Sequence, residues 1–348
     1  MKEKILVAMS GGVDSSLTAA LLLEAGYEVE GVTMYLFNTE DGKMPQAVAD
    51  ARMMADFLGI RHHVADFRER FQSHVVDYFL SSYAKGETPN PCVICNRFVK
   101  FGGLLAFAQQ LGFDKMATGH YARVEKLADG YAILKGIDKR KDQSYALHRL
   151  PREFLSHIVM PLGVHEKTET RALARARNLP VANKPESQEI CFVPNDDYKA
   201  YIRTHRPEAL RPGDIVDTEG HVLGHHQGVA FYTIGQRKGL GIAASHPLYV
   251  HALDPAKAQV IVGENRETLA TGLVANDANW HKDMPSTFTA NAKIRYGNRE
   301  AKAEVMQQDD GTLHVHFETP QRAVTPGQYI VFYEGERLLG GARILHAN

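Results

Sequence analysis

Lys4-Ile5-Leu6-Val7-Ala8-Met9-Ser10-Gly11-Gly12-Val13-Asp14-Ser15-Ser16 lies at the start of the chain, and its reading decides the fold. Lys4 to Met9 is a short apolar run of strand length, and Asp14 to Leu23 carries apolar residues at helical spacing with Gly26 as a stop. A strand, two glycines and a helix form the place where an open α/β sheet holds its ligand, beyond the carboxyl ends of the strands. The glycines let backbone N–H groups approach an anion, Ser15 and Ser16 add hydroxyls, and the helix N-terminus adds positive partial charge. The string lacks the lysine of a Walker loop, so it suits retention of pyrophosphate rather than transfer of a γ-phosphoryl group. The plainer alternative is a helix N-cap, since Ser and Asp cap well.

Outward from this loop the pattern repeats. Glu28 to Leu36 reads as a strand, Gln46 to Leu58 as a helix closed by Gly59, and His62 to Phe67 as a strand. Arg68 to Tyr83 reads as a long helix, Asn96 to Leu111 as another, and Asp114 to Thr118 as a strand. Strands separated by helices imply a parallel sheet covered on both faces. The prolines of Glu87-Thr88-Pro89-Asn90-Pro91-Cys92-Val93-Ile94-Cys95-Asn96 argue for an irregular loop. A hairpin is expected after Ala122, turning at Asp129-Gly130, and His165 to Asn178 reads as a helix. From about Arg211 to Ile344 short apolar runs alternate with Gly, Asp and Pro, an all-β rhythm that weakens near Gly263–Thr271.

At 348 residues the chain exceeds one ordinary core. Composition, 44% apolar and 23% charged, is that of a globular protein in water, with no apolar run expected to span a membrane. Three cysteines, an odd number, speak against a secreted disulfide framework and for a reducing cytoplasm. The net charge of −1 names no nucleic-acid partner, but acidic residues prevail over 1–90 and basic ones by two to one over 91–150. The basic middle could face phosphates or simply be a solvated surface.

Cys92 and Cys95 fall in the proline loop and Cys191 in Ser187-Gln188-Glu189-Ile190-Cys191-Phe192. Cys95 is placed by this reading just before a helix with Asn96 as its cap, where the helix dipole, Lys100 and Arg97 would favour a reactive thiolate. On spacing alone three readings stand: a pair of thiols that carry and resolve a persulfide, a metal or iron–sulfur site, or inert thiols.

Taken together, SGGVDSS, TPNPCVICNRFVKF, ATGHYAR, KDQSYAL and ESQEICFV resemble the bacterial tRNA-uridine 2-sulfurtransferase family, one of the N-type ATP pyrophosphatases, across roughly residues 4–200. A more diffuse likeness continues through GHHQGVAFYTIGQRKGLGI and RYGN to TPGQYIVFY. The resemblance implies an α/β adenylation domain of the PP-loop, HUP-like kind over 1–205, a small β-rich central domain over 206–268 and a C-terminal β-barrel over 269–348. It implies ATP at Ala8, Met9, Ser10, Gly11, Gly12, Val13, Asp14, Ser15, Met34 and Gly119, with Asp14 helping to hold Mg²⁺. Cys95 takes the place of the nucleophile and Cys191 that of the persulfide carrier. Asn90, Pro91 and Cys92 would approach the target base, and His120, Lys141, Asp142, Gln143, Gly297, Asn298 and Gln328 would touch tRNA. The implied reaction is 2-thiolation of the wobble uridine at position 34 of tRNAs such as those for Lys, Glu and Gln. Its implied partners are a persulfide donor (a cysteine desulfurase or relay protein) and a disulfide reductant, in the cytoplasm and without a membrane. Many family members carry Asp where this chain has Cys92, and that third thiol keeps an iron–sulfur cluster on Cys92, Cys95 and Cys191 open.

Overall fold

The computed structural model describes residues 2–39, 42–185 and 190–348. A parallel sheet forms first, from β1 (Lys4–Ala8), β2 (Glu28–Tyr35), β3 (His62–Asp66), β4 (Lys115–Ala117) and β7 (Ile158–Val159), in the order β3-β2-β1-β4-β7. Side chains of a strand alternate between faces. Accordingly Leu6 packs with Val32 and Met116 on one side, while Ile5 and Val7 pack with Leu17, Ala51 and Met54 on the other. Both faces are covered, which is why β1 reads as an unbroken apolar run. Helices α1 (Val13–Glu24) and α2 (Gln46–Leu58) follow β1 and β2, and Gly59 ends α2 in the left-handed conformation.

A long helix α3 spans residues 68–84, widening to π hydrogen bonding over Gln72–Val76. Helix α4 runs from Pro91 to Gln110 and widens in the same way over Cys95–Phe101. This corrects the expectation of a loop through Asn96. Pro91 sits at the first helical position, where its missing N–H costs nothing, and Asn90 is the cap, its side chain accepting from the Val93 amide at 3.3 Å. Asn96 lies buried inside the helix and donates to the Ala146 carbonyl at 3.0 Å. Contrary to the sequence reading, α4 is also long and apolar enough to cross a membrane. Most of it is buried in the core, with Val93, Val99, Phe101 and Leu104 fully enclosed.

The hairpin β5 (Ala122–Leu127) and β6 (Gly130–Lys135) turns where expected. Helices α5 (Lys167–Ala176) and α6 (Tyr198–His205) follow. Four strands, β8 (Gly213–Val216), β9 (Val222–His226), β10 (Tyr249–Asp254) and β11 (Gln259–Gly263), then form a separate sheet ordered β10-β11-β8-β9. The chain ends in β12 (Leu269–Trp280), β13 (Thr287–Lys293), β14 (Ala301–Gln307), β15 (Leu313–Arg322), β16 (Tyr329–Glu334) and β17 (Arg337–Ala347). These antiparallel strands close into a barrel through the β12–β17 pairing. The barrel has its own core around Leu273, Val305, Phe332 and Ile344. One link was not legible in the sequence: β6 pairs with β17 at Leu134–Arg337, so the hairpin extends the barrel's sheet.

Candidate active site

Four elements converge on one cleft of about 320 Å³. It is lined by Ala8, Met9, Ser10, Asp14 and Ser15 from the phosphate loop and by Val32 and Met34 from β2. Lys100 from α4, Thr118, Gly119 and His120 after β4, and Gln143 complete it. Its position at the carboxyl ends of β1, β2 and β4 follows from the parallel sheet.

The loop is tightly built. Gly11 has φ +69°, and an added Cβ would stand 2.6 Å from Asp50 Cβ and 2.8 Å from the Ala47 carbonyl oxygen. Ser15 Oγ accepts from the Ser10 amide at 3.1 Å, and Ser16 Oγ donates to the Gly12 carbonyl at 2.9 Å. Gly12 caps α1 with backbone only. The Val13 side chain is buried in the core, which leaves its backbone alone to serve an anion. Gly119 lies so close to α1 that a Cβ there would meet Asp14 and the Ser15 nitrogen at about 3.0 Å.

Sequence reasoning missed the cations of this wall. Lys167, from the start of α5, donates to both Asp14 carboxylate oxygens at 2.7 and 2.8 Å, and the Tyr121 hydroxyl donates to one of them at 2.9 Å. Lys184 reaches the Gly11 carbonyl at 3.1 Å and Asp50 at 2.5 Å. Each lies more than 150 residues from its partner in the loop, so no local pattern could reveal them.

The thiols do not line the cleft, but Lys100, which does, acts on all three electrostatically. Cys92 is the second residue of α4 and is exposed, Cys95 is half-buried, Cys191 is exposed, and all three are free. The expectation of an acidic Cys95 is overturned. Burial pushes its thiol up to about 11, against the pull of Lys100, because Cys95 lies one turn inside a helix rather than before it. Partial desolvation and then the Cys95 and Cys92 thiols raise Cys191, although its surface stays open to solvent, and the three lie within electrostatic reach of one another. Partial desolvation also raises the exposed Cys92, and Lys100 lowers it. Arg97, expected to help, turns away and donates to the Arg149 carbonyl at 2.8 Å.

Among the described residues no group of three His, Cys, Asp or Glu side chains is arranged to hold a metal ion. The three cysteines as placed therefore do not fit an iron–sulfur cluster, and the part of the fifth motif at Glu186–Glu189 lies outside the described residues.

Of the residues assigned to tRNA, His120 and Gln143 line the cleft itself. His120 is buried and accepts or donates at Thr118 Oγ1, 2.8 Å away, and burial holds it well below the usual histidine range, hence neutral. Gln143 accepts from the Tyr121 amide at 2.9 Å. Asp142 is buried and spends its carboxylate on the Gly136 and Ser144 amides and the Ser144 hydroxyl, organising its own turn rather than facing solvent. Lys141 stands half-exposed at that turn. Next to the Gly297-Asn298 turn of the barrel, the Tyr296 hydroxyl is raised by burial and then by the Asp142 and Asp138 carboxylates. Gln328 donates to the Thr88 and Pro89 carbonyls at 2.9 and 3.1 Å, tying the approach to α4 onto the barrel.

A pyrophosphatase-type phosphate loop in a parallel α/β domain, joined in one chain to a closed β-barrel, defines a PP-loop protein of the HUP kind. Family descriptions match along the chain: "tRNA methyl transferase HUP domain" over residues 3–195, "tRNA methyl transferase PRC-barrel domain" over 199–264 and "Aminomethyltransferase beta-barrel domain" over 270–344. The chain is 49% identical to the tRNA-specific 2-thiouridylase MnmA of Carboxydothermus hydrogenoformans, over 99% of this chain and 98% of that one. It is 48% identical to its counterpart in Moorella thermoacetica (97% and 98% covered) and 47% to that of Chloroflexus aurantiacus (98% and 98%). The chain belongs to the tRNA-specific 2-thiouridylase family.

Proposed function

We propose that the protein is a tRNA-uridine 2-sulfurtransferase acting on the wobble uridine at position 34, using ATP to activate the base and Cys191 to carry the sulfur. The observation that carries this reading is the cleft itself, lined by the phosphate loop and by Lys100, whose ammonium acts electrostatically on Cys95 and Cys191. Two thiols so placed suit sulfur transfer and have no task in methyl transfer.

The C2 carbonyl of uracil resists substitution because its oxygen leaves badly. Attack of that oxygen on the α-phosphate of ATP would turn it into a good leaving group, AMP, and release pyrophosphate. The backbone N–H groups of Gly11, Gly12 and Val13, the start of α1 and the hydroxyls of Ser10 and Ser15 are placed to take charge from the phosphates. Asp14 would hold Mg²⁺, commonly shared between one carboxylate and substrate phosphates, only by giving up contacts to Lys167 and Tyr121 when the nucleotide binds. When bound, the ion would neutralise pyrophosphate charge. Met34, in the lining of the cleft, would lie near the adenine, and neutral His120 could hydrogen-bond near the reacting carbonyl without adding charge.

Cys191 would accept sulfur from a persulfide donor. Cys95 then attacks the Cys191 sulfur, forms a disulfide and releases hydrosulfide, which adds to C2 as AMP departs. A reductant must reopen that disulfide. Asn90, Pro91 and Cys92 would approach the target base, and an anticodon base, already single-stranded, turns into a pocket at a cost of a few kcal/mol. Lys141, Gly297, Asn298 and the barrel would hold the stem by its phosphates. Residues 1–205 would then carry the chemistry, with 206–268 and 269–348 presenting the tRNA.

The test is mass spectrometry of nucleosides after incubating the protein with tRNA, ATP and a persulfide donor. 2-Thiouridine is expected with the native chain and none with Cys191→Ser. Thionucleoside made by Cys191→Ser would refute the assignment.

A further inference from the structure

Thr233 to Gly239 form a turn of the central domain ahead of β10, and its backbone is fixed from within and from the barrel. The Gln236 side chain accepts from the Thr233 amide at 3.1 Å and donates to the Lys238 carbonyl at 2.9 Å. Val250 of β10 clasps the turn, accepting from the Gly235 amide at 2.8 Å and donating to the Gln236 carbonyl at 2.9 Å. From the barrel, Arg295 donates to the Ile234 carbonyl at 2.9 Å and Arg322 to the Gly235 carbonyl at 3.1 Å. Gly235 has φ +84°, and an added Cβ would stand 2.6 Å from Ala323 Cβ, so the turn can lie this close to the barrel only with glycine there. At its start the Thr88 hydroxyl donates to Thr233 Oγ1 at 3.5 Å. The turn thus touches both the approach to α4 and the residue that leads to Tyr296, Gly297 and Asn298.

The rigid backbone holds Arg237 and Lys238 out into solvent. Among the described residues, none of Arg237, Lys238, Arg295 and Arg322 forms an ion pair with a carboxylate. Other arginines around the barrel are paired: Arg149 with Asp277, Arg337 with Asp129 and Arg343 with Glu87. The carboxylates of the adjoining turn are spent elsewhere. Glu264 pairs with Arg266 at 3.1 Å, and Glu267 accepts from the Glu264 amide and from Thr218 Oγ1 at 2.6 and 3.1 Å. Arg322 reaches only the neutral Asn265 Oδ1, at 2.7 Å, and lies over the Tyr249 ring. Four cations therefore surround one fixed turn without a counter-charge.

We propose that this turn is a phosphate track, in which Arg237 and Lys238 take backbone phosphates of the tRNA strand that enters the target-base position, with Arg295 and Arg322 as fixed positive charge beneath. The inference rests on the tRNA reading above. A turn already locked loses little freedom when it binds. Phosphate contacts set register without reading bases, which suits an enzyme serving several tRNAs.

The experiment measures tRNA affinity of the full chain by fluorescence anisotropy across a series of KCl concentrations. Each phosphate neutralised adds about 0.7–0.9 to the slope of log affinity against log salt. The Arg237→Ala, Lys238→Ala double variant should bind about tenfold more weakly at about 100 mM KCl, with the slope shallower by about 1.5. Arg237→Lys with Lys238→Arg should restore both. In the native chain, bound tRNA should slow acetylation of Lys238 several-fold, a readout that needs no variant. An unchanged slope, or Lys238 equally reactive with and without tRNA, would overturn the track. An unchanged slope with slower persulfide loading of Cys191 would also overturn it and give the turn to the sulfur donor. Failure of the underlying reading looks different: the native chain, with tRNA bound, makes no 2-thiouridine.

Discussion

On the phosphate-loop wall of the cleft every group is held in place. Gly11 is wedged against α2, Gly119 against α1, Asp14 is gripped by Lys167 and Tyr121, and Lys184 bridges Gly11 to Asp50. On the thiol side nothing is covalently joined: burial keeps the half-buried Cys95 protonated, at about 11, while Cys92 and Cys191 are open to solvent. The first wall is organised before any ligand arrives, so binding energy need not be spent on ordering it. On the second, Cys95 rests in an unreactive protonation state. A thiol that is quiet until substrate changes its surroundings escapes stray oxidation, because the thiolate is the reactive form.

The largest effects should come from breaking the rigid wall. Gly11→Ala would force a side chain into left-handed backbone, about 1–2 kcal/mol, and push its Cβ into α2 backbone that cannot yield. ATP- and tRNA-dependent pyrophosphate release should drop at least about a hundredfold, since each 1.36 kcal/mol is tenfold in rate. Gly12→Ala meets only Ser10 Oγ at 3.5 Å and should lose far less. Equal losses in the two variants would show that the loop is not locked as described.

An effect of similar size probes the quiet wall. A raised thiol pKa means the neutral form dominates at pH 7. Cys95, at about 11 against an ordinary 9.0, should be alkylated by iodoacetamide about a hundredfold more slowly than a free cysteine at that pH. The rate should climb about tenfold per pH unit from 7 to 10. A plateau below pH 8, followed by peptide mass spectrometry in Cys92→Ser to isolate the site, would erase the contrast between the walls.

The same contrast explains what the sequence could tell. β1, the glycine loop and α1 are adjacent in the chain, and local periodicity and turn chemistry suffice to place Gly11, Ser15 and Asp14. Lys167 and Lys184 reach that loop only through tertiary packing, and a lysine in an Arg- and Ala-rich helix carries no local mark. Pro91 misled for a specific reason: Pro breaks a helix interior but starts a helix well, and Asn90 before it is the cap that decides between the two. With α4 starting five residues earlier than read, Cys95 moved from a helix terminus into a half-buried turn, and the expected acidity went with it. The β6–β17 pairing escaped because a single residue pair carries it.

A smaller effect sharpens the role of Lys167. Lys167→Ala leaves the Asp14 carboxylate facing incoming phosphates without its counter-cation. Asp14 is 31% exposed on its side chain, so water screens part of the loss and roughly 1–2 kcal/mol is expected. Titration calorimetry should show ATP binding weakened about tenfold, with Lys167→Arg intermediate. Unchanged affinity would mean that the pair is structural only.

The smallest effect separates two uses of one residue. Gln328 was expected at tRNA, yet its amide is spent on the Thr88 and Pro89 carbonyls, which lead into Asn90 and α4. Two neutral hydrogen bonds are worth about 1–3 kcal/mol together, and only locally. If Gln328 anchors the thiol wall, Gln328→Ala should speed amide exchange at Thr88 and through the first turn of α4, while α1 and the phosphate loop stay as protected as before. Turnover would then fall a few-fold with tRNA affinity little changed. Weaker tRNA binding with unaltered exchange would instead make Gln328 a direct contact. The wall that carries the thiols would then owe its position to α4 alone.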